Sequence, residues 1–142
     1  MRPESIRRFE WFFWIGAVAP VIAILTDYQF LKQQALAGGH SQLGPITGVL
    51  FSVAVDLALW LAIVRKASNV GKWIMVIMTG LSVLLLPREF RQFVAISHTY
   101  TILMLASLAA WTVACGLLFR RDAREWLASR GKNMPVDPGV FS

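Results

Sequence analysis

FSVAVDLALWLAIVRK, residues 51–66, is an apolar run that ends in two basic residues and carries one acid, Asp56, near its middle. A helix rises 1.5 Å per residue, so about 17 to 25 residues cross a hydrocarbon core of about 30 Å. Together with the apolar residues before it, this run is long enough to span a membrane. An Asp at the centre of such a helix costs about 2.5 to 3.5 kcal/mol on insertion scales. The stretch therefore predicts a membrane helix in which a partner for Asp56 must offset this insertion cost.

Three further apolar runs have a similar length. The chain has 142 residues and is 56% hydrophobic, above the roughly 45 to 50% of soluble domains. Lipid offers the backbone no hydrogen-bond partners, so each span must be helical, and short connections place consecutive helices antiparallel. We expect an all-α fold, a four-helix transmembrane bundle with antiparallel neighbours. Its predicted parts are helices at 9–28, 46–64, 70–86 and 99–119 and a cytoplasmic amphipathic extension at 120–130, all in one domain, 1–132, with a flexible tail at 133–142.

Basic residues concentrate on one side of this predicted bundle. Eleven of the 14 Lys and Arg residues precede the first helix, lie between the second and third, or follow the fourth. Because such residues favour cytoplasmic flanks, both termini are expected in the cytoplasm. The net charge of +6 then follows from topology and from attraction to anionic headgroups, and does not indicate a nucleic-acid partner. The eleven are Arg2, Arg7, Arg8, Arg65, Lys66, Lys72, Arg120, Arg121, Arg124, Arg130 and Lys132.

No sequence motif indicates catalysis, a cofactor or a metal site. The chain lacks phosphate-binding, zinc-peptidase and nucleophile-elbow patterns. Its one cysteine, Cys115, falls within the fourth predicted helix and cannot form an intramolecular disulfide. His40, His98, Asp27 and Glu89 belong to one side of the membrane but lack metal-ligand spacing. We expect a protein that is not an enzyme.

Asp56 shares one helix face with Ser52 and Trp60, because the three recur every four residues. It lies about 12 Å from the cytoplasmic end of its helix, too deep for a short side chain to reach the interface. No Lys or Arg lies at that depth. Either the carboxyl is neutral and hydrogen-bonded inside the bundle, or it is a proton or cation site or pairs with a cation on another subunit. The candidate partners inside the bundle are Thr79, Ser82, Ser107 and Thr112.

Two stripes of alanine are predicted to pack helices together. Small side chains let membrane helices approach closely where hydrophobicity cannot drive their association. The stripes favour a non-enzymatic interaction or accessory subunit that packs with itself or with another membrane protein. The alternative is a small transporter or channel with Asp56 in a proton or cation pathway. The stripes are Ala54, Ala58 and Ala62 in the second predicted helix, and Ala106, Ala110 and Ala114 in the fourth.

A short internal similarity relates the same two helices. DLALW at 56–60 and SLAAW at 107–111 share three of five residues, and each precedes a pair of basic residues at the end of its helix. The similarity leaves open a duplicated two-helix hairpin, since parallel repeats are a known membrane architecture.

Three segments at the predicted membrane boundaries carry a family resemblance: IRRFEW at 6–11, IVRKASNVGKWI at 63–74 and LLFRRDAREWL at 117–127. With them the chain resembles an uncharacterised family of small bacterial inner-membrane proteins with four predicted helices. The resemblance implies a multi-pass location in the bacterial inner membrane and the four-helix fold. It carries over no catalytic residue and no cofactor, and Asp56 is not among its markers.

Overall fold

The computed structural model describes residues 3–39 and 41–129, and every regular element in these ranges is helical. Four helices are long and apolar enough to cross a membrane, which confirms the all-α fold and the four predicted spans. The tail 133–142 lies outside the described residues, as do Arg2, His40, Arg130 and Lys132. The elements are α1 (Glu4–Thr26), α2 (Tyr28–Ala37), α3 (Gly44–Trp60) with a π-helical turn (Leu61–Arg65), α4 (Asn69–Ile96), α5 (His98–Leu117) and α6 (Arg121–Ala128).

The pairing of α1 with α5 is the most extensive contact between helices in the described residues. At one end the Ser97 hydroxyl, just before α5, donates to Asp27, just after α1, at 2.9 Å. Further along, the rings of Phe13 and Trp111 stack at 5.7 Å. The α3 helix packs on α1 and α4 packs on α5, whereas α3 and α4 have few contacts with each other. We call the end that carries α2 the α2 end, and the opposite one the α6 end.

Pro20 lies inside α1 and creates the main polar contact of this pair. Proline has no N–H, so the carbonyl of Gly16, four residues earlier, loses its helical hydrogen bond. The hydroxyl of Ser107 on α5 donates to that carbonyl at 2.6 Å. A serine that replaces a missing backbone donor is how a membrane helix tolerates proline. Trp111 also lies directly over Gly16, where a Cβ would overlap its indole ring.

The hydrophobic core is concentrated at the α6 end, where the fourth predicted helix turns back. The predicted amphipathic extension at 120–130 is a separate helix: α5 ends at Leu117 and α6 begins at Arg121. The turn brings α6 against α1, where Ala123 and Leu127 are buried. The N–H of Ser5 donates to the Asp122 carboxylate across this contact at 3.3 Å. An amphipathic segment thus covers the core with its apolar side.

The α4 helix is longer than predicted. It runs through Pro87 to Ile96, whereas the predicted helix ended at 86. A proline in a membrane helix removes one hydrogen bond without ending the helix. The residues that follow Pro87 include Arg88, Glu89 and Arg91, which are good helix formers.

A compact connection joins α3 to α4. The N–H of Lys66 bonds the carbonyl of Leu61 at 3.1 Å, the spacing of a π-helical turn. Ala67 then adopts a left-handed conformation with φ of 45°. Ser68 caps α4 by accepting from the N–H of Gly71 at 3.3 Å. The α3 and α4 helices therefore meet at the α6 end.

Gly16→Ala is expected to weaken the α1–α5 pair. The new Cβ would overlap Trp111, and overpacking of this kind costs about 1 to 3 kcal/mol. We expect a lower midpoint of thermal unfolding in detergent, measured by circular dichroism. Gly80→Ala is the matched control, because no atom lies within 4 Å of a Cβ built there. Equal midpoints for the two variants would contradict the packing described.

Asp122→Asn is expected to loosen α6 from α1. Hydrogen bonding from Ser5 lowers the pKa of the Asp122 carboxyl below its usual value. The contact therefore adds stability above the usual carboxyl pKa and loses it as the pH falls through the lowered value. Trypsin cleavage after Arg124 at neutral pH should rise by no more than about fivefold in the variant, because exposed charged contacts are weak.

Glu125→Gln is the control for this experiment, since Glu125 pairs with the exposed Arg121 at 3.0 Å. In the wild-type protein, amide hydrogen exchange in α6 should also increase as the pH falls below the usual carboxyl range, after correction for the intrinsic rate. An unchanged cleavage rate in Asp122→Asn would show that the apolar contacts alone hold α6 in place.

Candidate functional site

Asp56 is a buried acid without a hydrogen-bond or ion-pair partner among the described residues. It lies in the middle of the span formed by α3 and its π-helical turn, and only 6% of its surface is exposed. Buried carboxyl groups in membrane helices normally pair with another group or reach water. Asp56 is therefore the residue around which a candidate site is built.

The four predicted polar partners bond elsewhere. Each hydroxyl has another hydrogen bond, and three of the four donate to backbone carbonyls, a common arrangement within membrane helices. The bonds are Ser107 to Gly16 at 2.6 Å, Ser82 to Met78 at 3.0 Å, Thr112 to Leu108 at 2.8 Å, and Cys115 Sγ to Thr79 Oγ1 at 3.4 Å. Of these side chains Ser107 and Thr79 are buried, and Ser82 and Thr112 are exposed.

An aromatic layer lies one helical turn from Asp56 toward the α6 end. The ring of Trp60 is 5.9 Å from that of Trp14, and Trp14 contacts Phe13 at 5.8 Å. Phe13 stacks on Trp111, so four rings from three helices form a continuous row. The indole nitrogens of Trp60 and Trp111 are buried and have no hydrogen-bond partner within residues 3–39 and 41–129. This row, Trp60, Trp14, Phe13 and Trp111, is the aromatic layer.

On the other side of Asp56, its helix face carries small residues. Gly44, Gly48 and Ser52 precede it at intervals of four residues, and Gly48 and Ser52 are exposed. Gly48 has no neighbouring atom within 4 Å of a built Cβ. It lines an open cavity of about 380 Å³ at the α2 end, together with Ile24, Leu31, Gln34, Ala35, Pro45 and Tyr100. On α3 the lining of the cavity includes Pro45 and Gly48 but not Ser52 or Asp56. We call the face that continues from Gly48 through Ser52 to Asp56 the α3 groove.

Gly44 and Gly48, which precede Ser52 on this face of α3, were not identified from the sequence, although their spacing is a recognisable pattern. Gly44-x-x-x-Gly48-x-x-x-Ser52 is a small-residue repeat with the period of a membrane helix interface. The sequence analysis named the alanine stripe of the same helix as the packing surface and did not consider this second repeat. Only the structure distinguishes the two faces, because it places a cavity beside Gly48 and leaves Ala54 and Ala58 on the outside.

The two predicted alanine stripes occupy different environments. Ala54 and Ala58 are exposed, and Ala62 is half-buried, with its Cβ 3.1 Å from the position of a Cβ at Gly71. On α5, Ala110 and Ala114 are buried, whereas Ala106 is exposed. The stripe of α5 thus serves largely inside the molecule, while the first two alanines of the α3 stripe face outward.

Lys72 is a buried cation near the α6 end. It is 8% exposed. The Nζ atom lies 5.3 Å from the ring centre of Trp73 and 4.7 Å from that of Phe119. Cation–π contacts of this kind stabilise a buried ammonium group.

No metal site is formed by the described residues, 3–39 and 41–129. No group of three or more His, Cys, Asp or Glu side chains there is arranged to hold an ion. Asp27, one of the acids considered from the sequence, accepts instead from Ser97. His40 lies outside the described residues.

Comparison of the chain with family models, curated proteins and solved structures found no match.

Proposed function

We propose that this chain is a small multi-pass protein of the bacterial inner membrane, related to the uncharacterised four-helix family that it resembles. Its proposed role is that of a non-enzymatic interaction or accessory subunit that packs with itself or with another membrane protein. Consecutive spanning helices run antiparallel, and both termini are cytoplasmic. The four apolar helices support the membrane location.

The distribution of basic residues supports this orientation. In the described residues the α6 end carries eight Lys and Arg residues, and the α2 end carries three. Cytoplasmic flanks are enriched in Lys and Arg, so the α6 end is the cytoplasmic one. Anionic headgroups of that leaflet attract the same charges. The eight are Arg7, Arg8, Arg65, Lys66, Lys72, Arg120, Arg121 and Arg124; the three are Lys32, Arg88 and Arg91.

The outward-facing alanines of α3 are the observation that carries the interaction role. Ala54 and Ala58 are four residues apart, so they form a smooth small-residue surface on one side of the helix. Both are exposed in the part of the chain that the structure describes, whereas Ala110 and Ala114 on α5 are buried. Association of membrane helices depends on close packing at such surfaces. A second membrane helix would gain that packing on α3.

Ala58→Leu is expected to break the proposed association while leaving the monomer folded. The added branches would hold a partner helix away but point outward, where lipid accommodates them. Native mass spectrometry of the protein extracted with its lipid should show a complex for wild type and its loss in the variant. Ala109→Leu, at an exposed alanine of α5, is the matched control and should retain the complex.

An identical set of complexes in wild type and Ala58→Leu would exclude this surface as the interface. Ala110→Leu cannot serve in the same test, because Ala110 is buried against the rest of the chain. Its substitution would disturb the monomer itself.

The unpartnered carboxyl of Asp56 favours a second candidate function, a small transporter or channel with Asp56 in a proton or cation pathway. The α3 groove supports this candidate because small residues lead from an open cavity toward the acid. Intramembrane acids without a partner mark ion and proton pathways in other membrane proteins.

Asp56→Asn is expected to abolish proton or cation flux into liposomes that contain the purified protein. The amide keeps the shape of the side chain but cannot take up or release a proton, so we expect a loss of at least about tenfold in a rate limited by that step. The flux is measured with a pH-sensitive dye and with potassium or sodium gradients. Asp56→Glu retains a carboxyl and is the control. Equal flux in wild type and Asp56→Asn would exclude the pathway.

A further inference from the structure

We infer that Asp56 is a proton-binding site that communicates with only one side of the membrane, through the α3 groove toward the α2 end. The inference rests on the second candidate function and adds the ligand, the route and the direction. Its parts are the buried acid, the small residues leading to it and the aromatic layer behind it.

The route from the α2 end follows one face of α3. Gly48 lines the open cavity, and Ser52 and Asp56 follow on the same face at one and two helical turns. Eight residues at 1.5 Å each place Asp56 about 12 Å beyond Gly48. Neither glycine nor serine fills the space beside the helix, and serine offers a hydroxyl to water. A polar buried group beside such a space is where internal water is found.

The opposite direction is closed by large apolar side chains. The aromatic layer begins at Trp60, one turn beyond Asp56, and crosses α1 to α5. Behind it lie Phe9, Ile63 and Leu118, all buried completely. Water that reaches Asp56 from the α2 end would meet this barrier before the α6 end. The site is therefore accessible from one side.

The ligand class follows from the single carboxyl group. Metal cations in proteins take several oxygen ligands, and no group of three or more His, Cys, Asp or Glu side chains in the described residues is arranged to hold an ion. A proton needs one oxygen: the carboxylate accepts a proton from a hydronium ion in the groove, leaving water and a neutral carboxylic acid. The neutral form also removes the cost of a buried charge.

Few other groups compete for this proton. Between Glu10 and Asp27 the α1 helix has no charged residue. Arg65 lies over the Trp60 ring at 5.8 Å, on the side of the aromatic layer away from Asp56. The remaining titratable groups of the elements near α3 are Glu4, Arg7, Arg8 and Glu10 on α1, Tyr28 and Lys32 on α2, Lys72, Arg88, Glu89 and Arg91 on α4, and His98, Tyr100 and Cys115 on α5.

Thiol accessibility tests the route without requiring transport. In a Cys115→Ala background, single cysteines are introduced as Ser52→Cys in the groove and Ala54→Cys on the outward alanine stripe. Gln33→Cys on α2 and Ala128→Cys on α6 report which face of a vesicle is outermost, since both positions are exposed. Membrane-impermeant cationic and anionic methanethiosulfonates are then added to vesicles of either orientation.

Ser52→Cys should react from the side that labels Gln33→Cys and not from the side that labels Ala128→Cys. Its reaction should be at least about tenfold faster than that of Ala54→Cys, because a thiol in lipid remains protonated and meets no charged reagent. An Asp56 anion one turn away should favour the cationic reagent by about three- to tenfold. Adding Asp56→Asn, or lowering the pH until Asp56 is protonated, should remove that preference.

Three results would overturn the inference. Equal rates for Ser52→Cys and Ala54→Cys would mean that no aqueous groove exists. Labelling of Ser52→Cys from the Ala128 side would mean that the aromatic layer is not a barrier. A cationic preference that survives Asp56→Asn would mean that Asp56 is not the charge at the end of the groove. If all three expectations hold and no flux is found, the transport function fails while the one-sided proton site stands.

Discussion

The hydrogen bond from the Ser107 hydroxyl to the Gly16 carbonyl is the contact on which the arrangement of the helices depends. Pro20 leaves that carbonyl without its helical donor, and in lipid an unsatisfied carbonyl costs several kcal/mol. Ser107 supplies the donor at 2.6 Å, and the absence of a side chain at Gly16 lets Trp111 lie against α1. A proline, a glycine and a serine together define how α1 and α5 approach each other. The other spans are then placed by these two, α3 on α1 and α4 on α5.

The internal similarity between DLALW and SLAAW acquires a physical meaning from this arrangement. Both segments lie against α1, and both tryptophans belong to the aromatic layer around Phe13 and Trp14. The first residue of each segment differs: Ser107 bonds the Gly16 carbonyl, and Asp56 has no partner among the described residues. At equivalent positions, Ser107 therefore joins α5 to α1 by a hydrogen bond, whereas Asp56 makes no such bond among the described residues.

Hydropathy and length predicted the four spans, because each lipid-crossing helix must carry its own apolar run. The same argument placed the end of α4 too early, at 86, since composition does not decide whether a helix continues beyond a proline at an interface. Side-chain partners were less predictable still. Ser107 was considered for Asp56, but the carbonyl freed by Pro20 is a contact with an element far away in the sequence. The sequence singled out Asp56 because a charged residue at the centre of a membrane helix has a high insertion free energy. The α3 groove could not be predicted, because it depends on the distance between α3 and the neighbouring helices.

The α4 helix does not match its partner in length. Its 28 residues extend about 42 Å, whereas the 20 residues of α5 extend about 30 Å, close to the thickness of the hydrocarbon core. Because the two helices pack side by side, the extra turns of α4 must tilt within the bilayer or rise above it. They carry Arg88, Glu89 and Arg91, so burial by tilting would be costly. The stability of the helix pair would accordingly depend on bilayer thickness. A thicker membrane would bring the charged turns of α4 into the hydrocarbon core, where their burial is costly, before it changed the environment of α5.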